Sequence, residues 1–164
     1  MKINSGIIIV ILSLIVPAIV AVKSIQFDQN CGGYLKQAAD ANTVELATER
    51  LGIALKYIED NGLTNGYTSV VYRTEDENVG YWYDNIKASY NELVAAKNGS
   101  ALEKSNVLMK VRESLTDNGE GGETTLTVPD GISRYPNNAI YGVLRLLSFI
   151  LLIFGCAVVF TTKN

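Results

Sequence analysis

The sequence predicts an all-α membrane protein in which two transmembrane helices, one at each end, flank a soluble bundle of three or four helices. Three observations carry that expectation. The longest apolar runs sit at the two ends of the 164 residues. All 17 acidic residues and 11 of the 14 basic ones fall between them, leaving only Lys2, Arg145 and Lys163 outside. The polar middle shows apolar residues at spacings of three and four behind recognisable helix-start signatures.

A short basic tail, residues 1–5, leads into the first apolar run. Residues 6–22 read GIIIVILSLIVPAIVAV, without a charge, closed by Lys2 on one side and Lys23 on the other. At about 1.5 Å per residue this covers about 26 Å, close to the thickness of a bilayer's hydrocarbon core. A cleaved signal peptide is the rival reading, with Ala18 and Ala21 near a cleavage point. The run exceeds the usual length of a signal core, and cleavage after Ala21 would put Ile19 where a small residue is favoured. The expectation is therefore a retained transmembrane helix.

The domain expected over residues 23–116 begins with Tyr34, Leu35, Ala38 and Ala39, a helical stretch readable as continuous with the next helix. Asn42-Thr43-Val44-Glu45 is a capping signature. Behind it Val44, Ala47, Leu51, Ala54 and Ile58 form one stripe ending at Asn61-Gly62. Tyr67 to Tyr72 is rich in β-branched and aromatic residues and predicts a short extended segment. Thr74 to Glu77 is a second capping signature, followed by Val79, Trp82 or Tyr83, Ile86, Tyr90 and Leu93. Ser100 to Glu103 is a third, with Ala101, Leu108, Val111 and Leu115 inward. Asn98-Gly99 should turn these last two helices into an antiparallel hairpin.

Residues 117–138 read as a Gly-rich acidic linker followed by an extended tether with two prolines. The second transmembrane helix is expected over residues 139–160, interrupted only by Arg145. That side chain lies near the start and is expected to anchor at the headgroups, with Tyr135 and Tyr141 at the same end. Residues 161–164 form a second short tail. Basic tails around an acidic middle favour cytoplasmic termini and an extracytoplasmic domain, as in the inner membrane of a bacterial cell. Ser13, Pro17 and Ala21 in one span, and Ser148 and Gly155 in the other, form small-residue stripes expected to face each other.

Composition excludes several functions. The middle carries a formal charge of −6, from 11 basic and 17 acidic residues, which repels nucleic acid. There is no histidine, so histidine-based nucleophile systems and most zinc sites are absent. Glu75-Asp76-Glu77 is explained by the helix start it precedes, and no metal or cofactor is expected. No catalytic constellation is recognisable, and the chain is expected to be non-enzymatic.

Two features remain as candidates for recognition. Tyr67, Tyr72, Tyr81, Trp82 and Tyr83 crowd into 17 residues, and Tyr81 to Tyr83 point three ways on a helix, so at least one should be exposed. Cys31, about nine residues beyond the first span, is a candidate for an intermolecular disulfide; its alternative is a buried thiol. The expected function is a membrane-anchored interaction or scaffold protein that meets a protein partner or its own copy. The alternative is a ligand-binding sensor module. The order of span, bundle and span is similar in layout to the input half of bacterial chemoreceptors. Only Thr161 to Asn164 follow the second span, so a sensor would act through a separate output subunit and a small-molecule ligand.

Overall fold

Ser5 opens a helical run, α1, that continues to Ala39. At about 1.5 Å per residue its 35 residues form a rod about 52 Å long. The computed structural model describes residues 5–118 and 124–161. The expected tails at residues 1–4 and 162–164, and the Gly-rich centre of the linker at 119–123, lie outside the described residues.

Two irregularities interrupt α1 without ending it. Pro17 has no N–H to offer the Ser13 carbonyl, and its ring crowds that carbonyl. The chain responds with a tight turn at Leu14, whose N–H bonds to Ile11 O at 3.2 Å. Further on, Asp28–Gly32 form a single π-helical turn, closed by the Gly33 N–H on Asp28 O. No break occurs at Lys23, where the sequence suggested a domain boundary. The Tyr34–Ala39 stretch is thus the end of α1 and not the beginning of the next helix. Asp40 to Thr43 separate the two.

α2 spans Val44–Asp60. Its cap is Thr43, one residue later than the signature suggested, with Oγ1 accepting from the Leu46 N–H at 3.2 Å. The predicted stripe Val44, Ala47, Leu51, Ala54 and Ile58 is buried throughout. α3 spans Val79–Ala96 and is capped by Asn78, whose Oδ1 accepts from the Tyr81 N–H at 3.1 Å. Thr74 caps nothing here; its hydroxyl bonds the Glu77 carboxylate beside a 3-10 turn at Glu75–Glu77. α4 spans Ala101–Leu115 and has the full capping box of Ser100 and Glu103. Ala101, expected inward, is exposed in the first turn of α4, while Val111 and Leu115 are buried.

The end of α1 packs against α2 and α4, α2 against α3, and α3 against α4, so four helical segments form a bundle around one core. Arg112 on α4 ties the bundle's end together by donating from Nε to Ala39 O at 2.9 Å, where the terminal carbonyls of α1 lack helical donors.

The segment after α4 departs from the expected tether. β1 (Thr116–Asn118) pairs antiparallel with β2 (Thr124–Leu126), Thr116 opposite Leu126. The Thr127 N–H then bonds Leu115 O at 2.9 Å, Leu126 and Val128 pack on the core, and Ile132 is buried in it. The sequence hides this because the anchoring partners lie far away along the chain. Tyr67 to Tyr72 likewise forms no strand; only Tyr67 bridges to Asn78.

α5 spans Asn138–Thr161 and runs antiparallel beside the first part of α1. Both helices are long and apolar enough to cross a membrane, and most of their apolar side chains are exposed.

Candidate functional site

The cap at Asn78 fixes where α3 begins, and that phase decides which way the three consecutive aromatics point. Trp82 turns inward and is only 6% exposed. Its indole Nε1–H donates to Thr127 O at 3.0 Å, so it clamps the returning segment to the bundle. Trp82 therefore leaves the expected binding surface: a large apolar ring with one donor suits a buried seam. Tyr83 points to the opposite side. Its hydroxyl donates to Glu59 Oε1 at 2.8 Å and accepts from Lys87 Nζ at 2.7 Å. The hydrogen bond to Tyr83 also holds the Lys87 ammonium above the ordinary lysine value.

Tyr81 remains, 49% exposed, on the wall of a cleft of about 380 Å³ between α3 and the β1–β2 ribbon. Ile86 and Trp82 supply part of the floor; Glu75, Asp76, Asp117 and Asp130 stand around it. Among the described residues no three histidine, cysteine or carboxylate side chains come together to hold a metal ion. The four carboxylates give the cleft lining a negative charge that favours a cationic guest.

Tyr67 and Tyr72 belong elsewhere, on the loop between α2 and α3. The loop is pinched at its base, with the Thr68 N–H on Glu77 O at 2.9 Å and the Val79 N–H on Gly66 O at 3.0 Å. Gly66 has φ +89°, and a Cβ there would collide with Tyr135 Oη, which donates to Asn65 O at 2.8 Å. The Arg73 guanidinium lies 5.7 Å from the Tyr67 ring centre. At the tip, Ser69 Oγ accepts from the Tyr72 N–H at 2.9 Å, and Val70, Val71 and Tyr72 are 70%, 80% and 66% exposed. The five aromatics thus form no common surface.

Cys31 lies wholly inside the core, 0% exposed, and burial pushes its thiol up to about 12. Enclosed and neutral, it is out of reach of a second copy, contrary to the expected intermolecular bridge. Cys156 is exposed on α5.

Where α1 and α5 meet, Ser13, Ser148 and Gly155 are buried, while Pro17 and Ala21 are exposed. Gly6 takes their place. A Cβ on Gly6 would stand 2.7 Å from Val159 Cγ2, and one on Gly155 would stand 3.1 Å from the Val10 backbone nitrogen. Gly6 and Ser13 are seven residues apart, as are Ser148 and Gly155. Seven residues bring an α-helix nearly back to the same side, whereas each step of four drifts by about 40°. That heptad spacing is the readable signal; the four-residue stripe has already left the seam at Pro17. At the other end of the seam, Lys23 Nζ lies 5.8 Å from the Tyr141 ring centre. Arg145 is exposed one turn beyond Tyr141.

No protein-family model, curated protein or solved structure matches this chain.

Proposed function

We propose that the chain is a two-pass, non-enzymatic membrane protein whose bundle offers the acidic cleft beside Tyr81 to a basic segment of a protein partner. The observation that carries this reading is the cleft: an exposed aromatic beside Trp82 and Ile86, with four carboxylates in the lining. Aromatics supply contact area at recognition sites, and the surrounding charge selects a cationic partner and speeds its approach. The two apolar helices would hold the cleft at a fixed height above the bilayer. Basic tails and an acidic domain favour the domain outside the cytoplasm of a bacterial cell.

The experiment is site-specific photo-crosslinking from position 81 in intact membranes. A protein adduct that disappears on Glu75→Lys with Asp76→Lys is the expected result. Absence of any adduct, with only unpartnered monomer recovered in mild detergent, overturns the reading. A cysteine at exposed Ser105, in a Cys156→Ser background, tests orientation: an impermeant maleimide should label it in intact cells.

A second reading has its own support. The cleft volume suits a small molecule, and Trp82 links the cleft wall to the segment that feeds α5. In that case a small cationic ligand would act through a separate output subunit, and it would raise the melting temperature of the isolated protein.

A further inference from the structure

A second pocket, of about 480 Å³, lies where the loop tip and the returning segment meet the first turns of α5. Three buried polar atoms on its lining residues have no hydrogen-bond partner among the described residues: Thr68 Oγ1, Arg134 Nε and Asn138 Oδ1. Thr68 is only 4% exposed. Buried polar groups are nearly always paired, because leaving one unpaired costs much of its hydration. Three such atoms on one pocket point to a missing partner.

The chemistry of that partner can be read from the three atoms. Arg134 Nε carries a hydrogen and needs an acceptor, and Arg134 makes no ion pair among the described residues. Asn138 Oδ1 needs a donor; its orientation is set by Nδ2, which donates to Gly131 O at 2.9 Å. The Thr68 hydroxyl can serve either way. Glu77 and Asp130 also line the pocket, so its lining carries one guanidinium and two carboxylates. A simple anion would be repelled by the carboxylates, and a simple cation would leave Arg134 unmatched. A zwitterion satisfies both. The pocket also takes in the N-terminal turn of α5, whose N–H groups have no helical acceptor and favour a phosphate.

Location narrows the choice. The pocket is walled by Val143 at the head of an apolar helix, close to the level of the Lys23–Tyr141 pair. Val70 and Val71, among the most exposed apolar side chains, form its rim and continue the apolar surface of α5. We propose that this pocket binds the headgroup of a zwitterionic phospholipid carrying a phosphodiester and a primary ammonium, with Val70 and Val71 lying beside its acyl chains. The phosphodiester would accept from Arg134, and the ammonium would donate to Asn138, Glu77 and Asp130. This rests on the two-pass reading above.

The test places the full chain in nanodiscs of ethanolamine, choline and glycerol phospholipids in equal parts, transfers it to mild detergent, and measures retained lipid by mass spectrometry. Selective retention of the ethanolamine lipid is expected, since a quaternary ammonium has no N–H and the glycerol headgroup is anionic. Arg134→Gln should lower retention on the order of tenfold through loss of a charge-assisted bond. Thr68→Val, which keeps shape and removes the hydroxyl, should lower it less. Equal retention of all three lipids overturns the proposal, as does unchanged retention in both variants. Should Arg134→Gln fail to fold, Thr68→Val and the headgroup comparison on the unaltered chain still decide. A chain that enters the bilayer without headgroup preference sinks this inference alone. A chain that does not enter the bilayer sinks the two-pass reading and this inference with it.

Discussion

The two halves of α1 are held by different physics. From Asp28 to Ala39 the helix presents Cys31, Leu35, Ala38 and Ala39 to a core also filled by Leu51, Ile58, Ile86 and Leu93. Water drives that packing, and its strength lies in the volume it encloses. Before Phe27 the same helix meets α5 through Gly6, Ser13, Ser148 and Gly155, where little side-chain volume is enclosed. On the two-pass reading proposed above this pair lies in lipid, where two apolar helices gain nothing from hydrophobic burial and closeness of backbones does the holding. The bundle should therefore fail when atoms are removed, and the helix pair when atoms are added.

Substitutions can break this contrast from either side. The largest effect is expected in the bundle, where Leu51→Ala should cost about 2–5 kcal/mol in chemical denaturation, since Leu51 is fully enclosed. Gly155→Leu should cost about 1–3 kcal/mol by overpacking. Its main mark should be a longer distance between spin labels on cysteines placed at Ile7 and Phe160, in a Cys156→Ser background, with the melting of the bundle little changed. An equal loss of bundle stability would mean that the two halves are not held separately.

Alkaline pH sharpens the comparison at one side chain. Cys31 ionises near 9.0 when unfolded and near 12 when folded, because burial disfavours the thiolate. Its contribution is therefore intact below pH 9.0. Stability is lost as pH rises toward 12, with a slope approaching about 1.4 kcal/mol per pH unit. The difference between the native chain and Cys31→Ala, followed by urea melts at several pH values, isolates that slope from the tyrosines. A flat difference would mean that the thiol is hydrated. The smallest effect concerns the clamp: Trp82→Phe should cost about 1 kcal/mol and speed hydrogen exchange at the Thr127 N–H.

The same contrast governs what could be read from the sequence. The bundle's interior was legible because Val44, Ala47, Leu51, Ala54 and Ile58 repeat at helical spacing, a pattern dictated by burial against water. Ser100 and Glu103 announced their helix because a cap is made of neighbours. What escaped depends on partners remote in the chain. Nothing near Thr127 shows that Trp82 will hold it, so the returning segment read as a tether. Nothing near Tyr67 shows that Tyr135 will pin the loop's base at Asn65. The seam follows a period of seven in both helices, so Ser148 and Gly155 are legible while Pro17 and Ala21 mislead, and Cys31 supports two readings because a thiol's burial is not written in its flanks. Of the candidate site, Tyr81 and Trp82 are legible as recognition candidates and Glu75 with Asp76 only as helix-start acids; Asp117 and Asp130 join them in the cleft lining through the fold alone.

The π turn at Asp28–Gly32 lies where the two regimes of α1 join. Each turn of a π-helix takes in about one residue more than an α-helical turn. That surplus lies between Phe27, whose ring meets Tyr57 edge-on, and Leu35, and both side chains are buried in the bundle core. Deleting Gln29 or Asn30 would therefore return this turn to a regular α-helical one with Leu35 still turned to the core, whereas deleting a residue from a regular turn of α1 would rotate everything beyond it by about 100°. The surplus residue is thus slack taken up within a single turn, so the rod carries one extra residue while its apolar end and its bundle end both keep their faces.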